Sequence, residues 1–201
     1  MAAAQNEEYR QMYWNLFDLM QKAYMDRYLL EELSKYNEEI KQHENAYKTY
    51  SYPVIGHLFT LLKNDMCLTL WKIYFDNDKD ALTISKLNQH LRQITGENYE
   101  SKISKHLRIY DKAIDTVRDQ YLAHNDKEKE NVRVKLSDLY AIMDEICILL
   151  NGMCKKDVDS GVILFSESTK KALKKRCTQG LAKMIYHDDQ PIAIRIPLQD
   201  E

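Results

Sequence analysis

Glycine and proline are scarce in this chain, five and three in 201 residues, so it has few of the residues that supply left-handed turns and break regular elements. That scarcity favours long uninterrupted helices. An excess of one charge is missing too. With 29 Lys and Arg against 31 Asp and Glu, the net charge of −2 excludes a globally basic nucleic-acid binder, and any RNA site must rest on local cationic patches. The four cysteines, Cys67, Cys147, Cys154 and Cys177, form no CxxC pair and sit within apolar helical runs. They are expected to be buried, reduced thiols of a cytosolic protein, with no structural zinc. No apolar run approaches the length that spans a bilayer, and the opening MAAAQNEE has neither the basic region nor the apolar core of a signal peptide. A soluble cytoplasmic protein without a membrane partner is expected.

Motifs for several kinds of chemistry are lacking as well. There is no phosphate-cradling glycine loop, no GxSxG, no HExxH and no Cys/His set with zinc spacing. The run Asp76-Asn77-Asp78-Lys79-Asp80 lacks the Gly and distal Glu of a calcium loop and reads as a solvated turn. His187-Asp188-Asp189 are consecutive and would need help from elsewhere to hold a metal. No cofactor and no metal are expected.

What is present is a helical composition: 30% charged residues, 14 tyrosines, and a length that suits one main core. Tyr9, Tyr13, Leu16, Phe17, Met20, Tyr24, Met25 and Leu29 keep helical spacing and predict a long first helix over about 7–35 with one buried face. Ser51-Tyr52-Pro53 reads as the start of a second helix to about Phe75, whose broad apolar face includes Val54, Leu58, Met66, Leu70 and Trp71 and suits a central member of a bundle. His57 on this helix is expected at a core or interface position. A shorter helix opens at Thr83 and ends at Gly96. From about Tyr99, Ile103, Leu107, Tyr110, Ile114, Val117 and Tyr121 predict another helix, with Lys102, Lys105, His106, Arg108 and Lys112 on its outer face. After a charged loop, Leu136–Leu150 closes the bundle, with Gly152 marking its end. Residues 156–201 form a second region. A helix over about Ser168–Tyr186 carries Lys171, Lys174 and Lys175, and Pro191–Leu198 alternates like a short strand that must pair with its own chain or a second subunit.

The richest segment for chemistry is Arg118-Asp119-Gln120-Tyr121-Leu122-Ala123-His124-Asn125-Asp126, where the periodic helix runs into a polar turn. It joins a permanently charged guanidinium to an imidazole that titrates near neutrality, a pair suited to phosphate chemistry. At about 100° per residue, Arg118 and His124 flank the apolar stripe on opposite margins. The plainer alternative is a helix-end arginine serving the helix dipole and a surface histidine.

The string RDxxLAHND, at the end of a long helix in a small all-helical chain, resembles the signature of the HEPN superfamily, in particular its abortive-infection AbiU-like branch. The resemblance covers about residues 5–155. It implies an antiparallel four-helix bundle that dimerises with two motif copies facing each other, and a metal-independent endoribonuclease. Carried onto this chain, Arg118 would hold the scissile phosphate, His124 would act on the 2′-hydroxyl, and Asp119 would fill the polar position beside the arginine, where Asn is more usual. Lys102, Lys105, Arg108 and Lys112, and Lys171, Lys174 and Lys175, are the candidate RNA contacts. The expected function is RNA cleavage in phage defence or a toxin–antitoxin pair, as a homodimer with an antitoxin partner such as a nucleotidyltransferase. A non-catalytic binding module of the same fold is the alternative.

Overall fold

The tyrosine-rich stripe near the N-terminus builds a helix longer than its apolar pattern alone requires. A computed structural model of the chain describes residues 2–41, 52–76, 78, 80–103, 114, 118, 134–154, 165–187 and 190–191. Their elements are α1 (Ala2–Lys41), α2 (Tyr52–Tyr74), α3 (Ile84–Thr95), α4 (Leu136–Met153), α5 (Glu167–Ile185), β1 (Tyr186–His187) and β2 (Gln190–Pro191). The chain is all-α, as its composition predicts. The strands make one antiparallel pairing of two rungs, Tyr186 opposite Pro191 and His187 opposite Gln190; residues 192–198 of the expected strand lie outside the described residues.

Helix α1 is the axis of the molecule, and α2, α3, α4 and α5 all pack on it. Its buried positions Tyr9, Met12, Tyr13, Leu16, Phe17, Met20, Ala23, Tyr24, Tyr28 and Leu30 cover an arc too wide for one neighbour to bury. The contacts fix the directions. Lys22 reaches Asp65, while Asn15, Asp18 and Lys22 share a cleft with Lys72 and Asp76, so α2 runs antiparallel to α1. Tyr9 donates to the carbonyl of Met153 and Tyr24 to Asp144, which makes α4 antiparallel as well. Helix α5 runs parallel to α1: Phe165, just before it, packs on Phe17 and Tyr24, Lys174 reaches Glu31, and Thr178 reaches Glu32.

Local signals explain the ends of α3. Thr83 accepts the backbone N–H of Lys86 at the N-terminus, and Gly96 closes the C-terminus at φ +78°, a conformation L side chains rarely adopt. Gly152 stands one residue before the end of α4, as expected, and has a further role. It lies within α4, and a Cβ there would meet Cε1 of Tyr99 at 3.1 Å; the Tyr99 hydroxyl donates to the Gly152 carbonyl at 2.7 Å. Glycine therefore serves close approach, and two tyrosine hydroxyls satisfy carbonyls at the C-terminus of α4 that no further helical turn could reach.

Three expectations need correction. Met25 is exposed because it points away from the arc of α1 that its neighbours cover. His57 is exposed, with Val54, Leu58 and Leu61, so of the core and interface positions expected for it the core is ruled out. The first turns of α2 project beyond the core, and it is α1, with α2 burying only its later turns from Met66 to Tyr74, that occupies the central position.

Candidate functional site

Arg118 is half-buried, with its guanidinium carbon 4.5 Å from the centroid of the Trp71 ring on α2. An aromatic face attracts a guanidinium through the ring quadrupole while leaving the plane of its N–H donors for hydrogen bonding. Ile114, four residues earlier, is buried in the core, as the periodicity predicts for that position. Asp119 and His124 lie outside the described residues.

The candidate RNA contacts occupy separate seats. Lys102 is exposed, its ammonium 5.3 Å from the Tyr99 ring centroid. Lys105, Arg108 and Lys112 lie outside the described residues. Lys171, Lys174 and Lys175 are exposed on α5, where Lys174 donates to Glu31 at 2.7 Å and stands 5.4 Å from the Tyr28 ring. Lys174 therefore meets an anion of its own chain before it meets any phosphate.

Around it lies a cleft of about 420 Å³ between α1, α4 and α5 that the sequence did not disclose. Arg27 is its centre. Its Nε donates to Glu31 at 3.0 Å, Nη1 approaches Asp144 at 3.4 Å, and the guanidinium sits 4.4 Å from the Tyr140 ring. Asp144 also accepts from the Tyr24 hydroxyl at 2.6 Å and has Lys170 at 3.8 Å, while Lys170 pairs with Glu167 at 3.1 Å. Burial works against the Arg27 charge, but the Glu31 and Asp144 carboxylates outweigh it and hold the guanidinium above its ordinary range. Glu31 is likewise penalised by burial, and its bonds to Lys174 and Arg27 bring it below the ordinary carboxylate range. Burial raises Tyr24, with the hydrogen bond to Asp144 adding to it, and burial pushes Tyr28 up to about 12; both phenols stay protonated donors at working pH. Only the local spacings, Arg27 with Glu31 and Glu167 with Lys170, hinted at this network; the bonds that join α1 to α4 and α5 link residues more than a hundred apart.

Chemically, the cleft is a mixed-charge clasp in which cations and carboxylates answer one another, whereas Arg118 on Trp71 is a guanidinium mounted on an aromatic platform. Among the described residues, no group of three or more His, Cys, Asp or Glu could hold a metal ion, and no helix is long and apolar enough to cross a membrane. Cys67, Cys147 and Cys177 are buried free thiols and Cys154 is half-buried; burial raises Cys67 to about 11. No family model, curated protein or solved structure matches the chain.

Proposed function

We propose that this chain is a metal-independent endoribonuclease of a phage-defence or toxin–antitoxin system, with an Arg118/His124 site completed at a homodimer interface. The observation that carries the reading is the Arg118-to-Asp126 string, in an all-helical chain where Ile114 is buried in the core and Arg118 sits on Trp71. The fork of Arg118 suits two phosphate oxygens, and its aromatic seat restrains it before substrate arrives. A neutral His124 takes the proton of the 2′-hydroxyl; the 2′-oxygen bonds to phosphorus, and the bond to the 5′-oxygen breaks. The leaving oxygen takes a proton from the protonated His124 of the partner subunit, leaving a 2′,3′-cyclic phosphate and a 5′-hydroxyl. Exposed Lys102, Lys171 and Lys175 would steer the RNA backbone, with an antitoxin such as a nucleotidyltransferase restraining the activity in a cytoplasmic setting.

The deciding experiment incubates the purified protein with total RNA in EDTA. Cleavage that persists in EDTA and disappears in His124→Ala supports the reading, and equal activity in the variant assigns the cleavage to a contaminant.

One observation favours a second reading, a non-catalytic HEPN-type binding module. The first turns of α2 carry no charged residue from Val54 to Leu62, and expose Val54, Leu58 and Leu61, as a docking helix would. Under that reading, RNA stays intact at every protein concentration while a partner protein binds stoichiometrically.

A further inference from the structure

Asp26 stands on the face of α1 that meets α2. It is 6% exposed, and its Oδ2 is buried without a hydrogen-bond partner. A carboxylate left so would forfeit its solvation for nothing in return. Across from it on α2 is Asp65, which accepts from Lys22 at 2.9 Å. Two ionised carboxylates cannot hydrogen-bond to each other, but one proton between them supplies the missing donor.

From these contacts we propose that Asp26 and Asp65 share a proton and form a pH-sensitive latch between α1 and α2, closed when the proton is present and loosened when it leaves. The groups that act on Asp26 are Asp65 on α2, Lys22 on α1 itself and the buried thiol of Cys177 on α5. Helices α3 and α4 meet α1 elsewhere, His90 at Glu8 and Asp144 at Tyr24 and Arg27. Burial first, then the charge and hydrogen bond of Asp65, raise Asp26 to about 7, with Lys22 opposing. The direction of the linkage follows. Between the ordinary carboxylate range and about pH 7 the folded chain binds a proton at Asp26 that the unfolded chain has released, so the latch's contribution falls as pH rises through that window and levels off above it.

The latch sits two turns from Trp71 on α2, but its function is independent of any nuclease activity and is tested without RNA. Thermal midpoints of the full chain and of Asp26→Asn are measured from pH 4.5 to 8. Asp26→Asn should gain on the parent steadily as pH rises, by several degrees between pH 5 and pH 8, because the amide carries its own donor and never ionises. Equal pH dependence of the two proteins overturns the latch. Should Asp26→Asn fail to fold, the carboxyl carbon of Asp26 in the parent, followed by NMR, decides: titration near neutrality supports the shared proton, and titration near pH 4 overturns it.

Discussion

At the scale of single residues, Arg118 and Arg27 show two uses of one side chain. Both guanidiniums lie on an aromatic face, and the bonds of Arg27 to Glu31 and Asp144 tie that residue to stability. Arg27→Ala should cost about 2 kcal/mol in urea denaturation, for the lost charged hydrogen bonds and the packing on Tyr140. The same clasp predicts an acid limb. Because Glu31 lies below the ordinary carboxylate range when folded, its contribution is present above the unfolded value and is lost as pH falls through the folded one. Glu31→Gln should flatten that limb in a pH series of thermal midpoints.

Arg118 is expected to behave differently. Arg118→Lys should remove most RNA cleavage although the charge is kept, since an ammonium cannot hold two phosphate oxygens at once. His124→Ala should abolish cleavage with the thermal midpoint within a few degrees of the parent. Asp119→Asn, which removes a negative charge from beside the phosphate, should be milder and should not lower activity as far as either. Gel assays with melting curves separate these outcomes, and unfolding of His124→Ala would make the histidine structural and favour the binding module.

At the scale of elements, α3 is specified by its own residues. Thr83 and Gly96 bound it, and Ile84, Leu87 and Leu91 face the core. Gly96→Ala should cost about 1 kcal/mol in urea denaturation; nothing lies within 4 Å of a Cβ there, so the cost comes from the positive φ alone. Caps and periodicity are local, which is why α3 and the buried face of α4 could be read directly from sequence. Exposure at Met25, His57 and Leu58 depends on where other helices stop, and apolar periodicity alone does not contain that information. The Arg27 clasp and the Trp71 seat of Arg118 were illegible for the same reason: each joins groups distant in sequence, while the Arg118 motif itself is a short local string.

At the scale of the whole molecule, one histidine per site is too few for both proton transfers of the proposed cleavage, so the active form should be a dimer. Sedimentation should report about twice the 23.8 kDa chain mass at micromolar concentration, and a strict monomer would remove the composite site. The placement of α1 at the axis has a consequence for synthesis. Tyr9 and Glu31 find their partners at Met153 and Lys174, separations of 144 and 143 residues. At ribosomal speeds of 5–20 residues per second, roughly 7 to 30 s pass between the appearance of these α1 residues and that of their partners on α4 and α5. After α2 and α3 have been made, the part of its apolar arc that α4 and α5 cover must still wait, and the first helix made is among the last to be buried on every side.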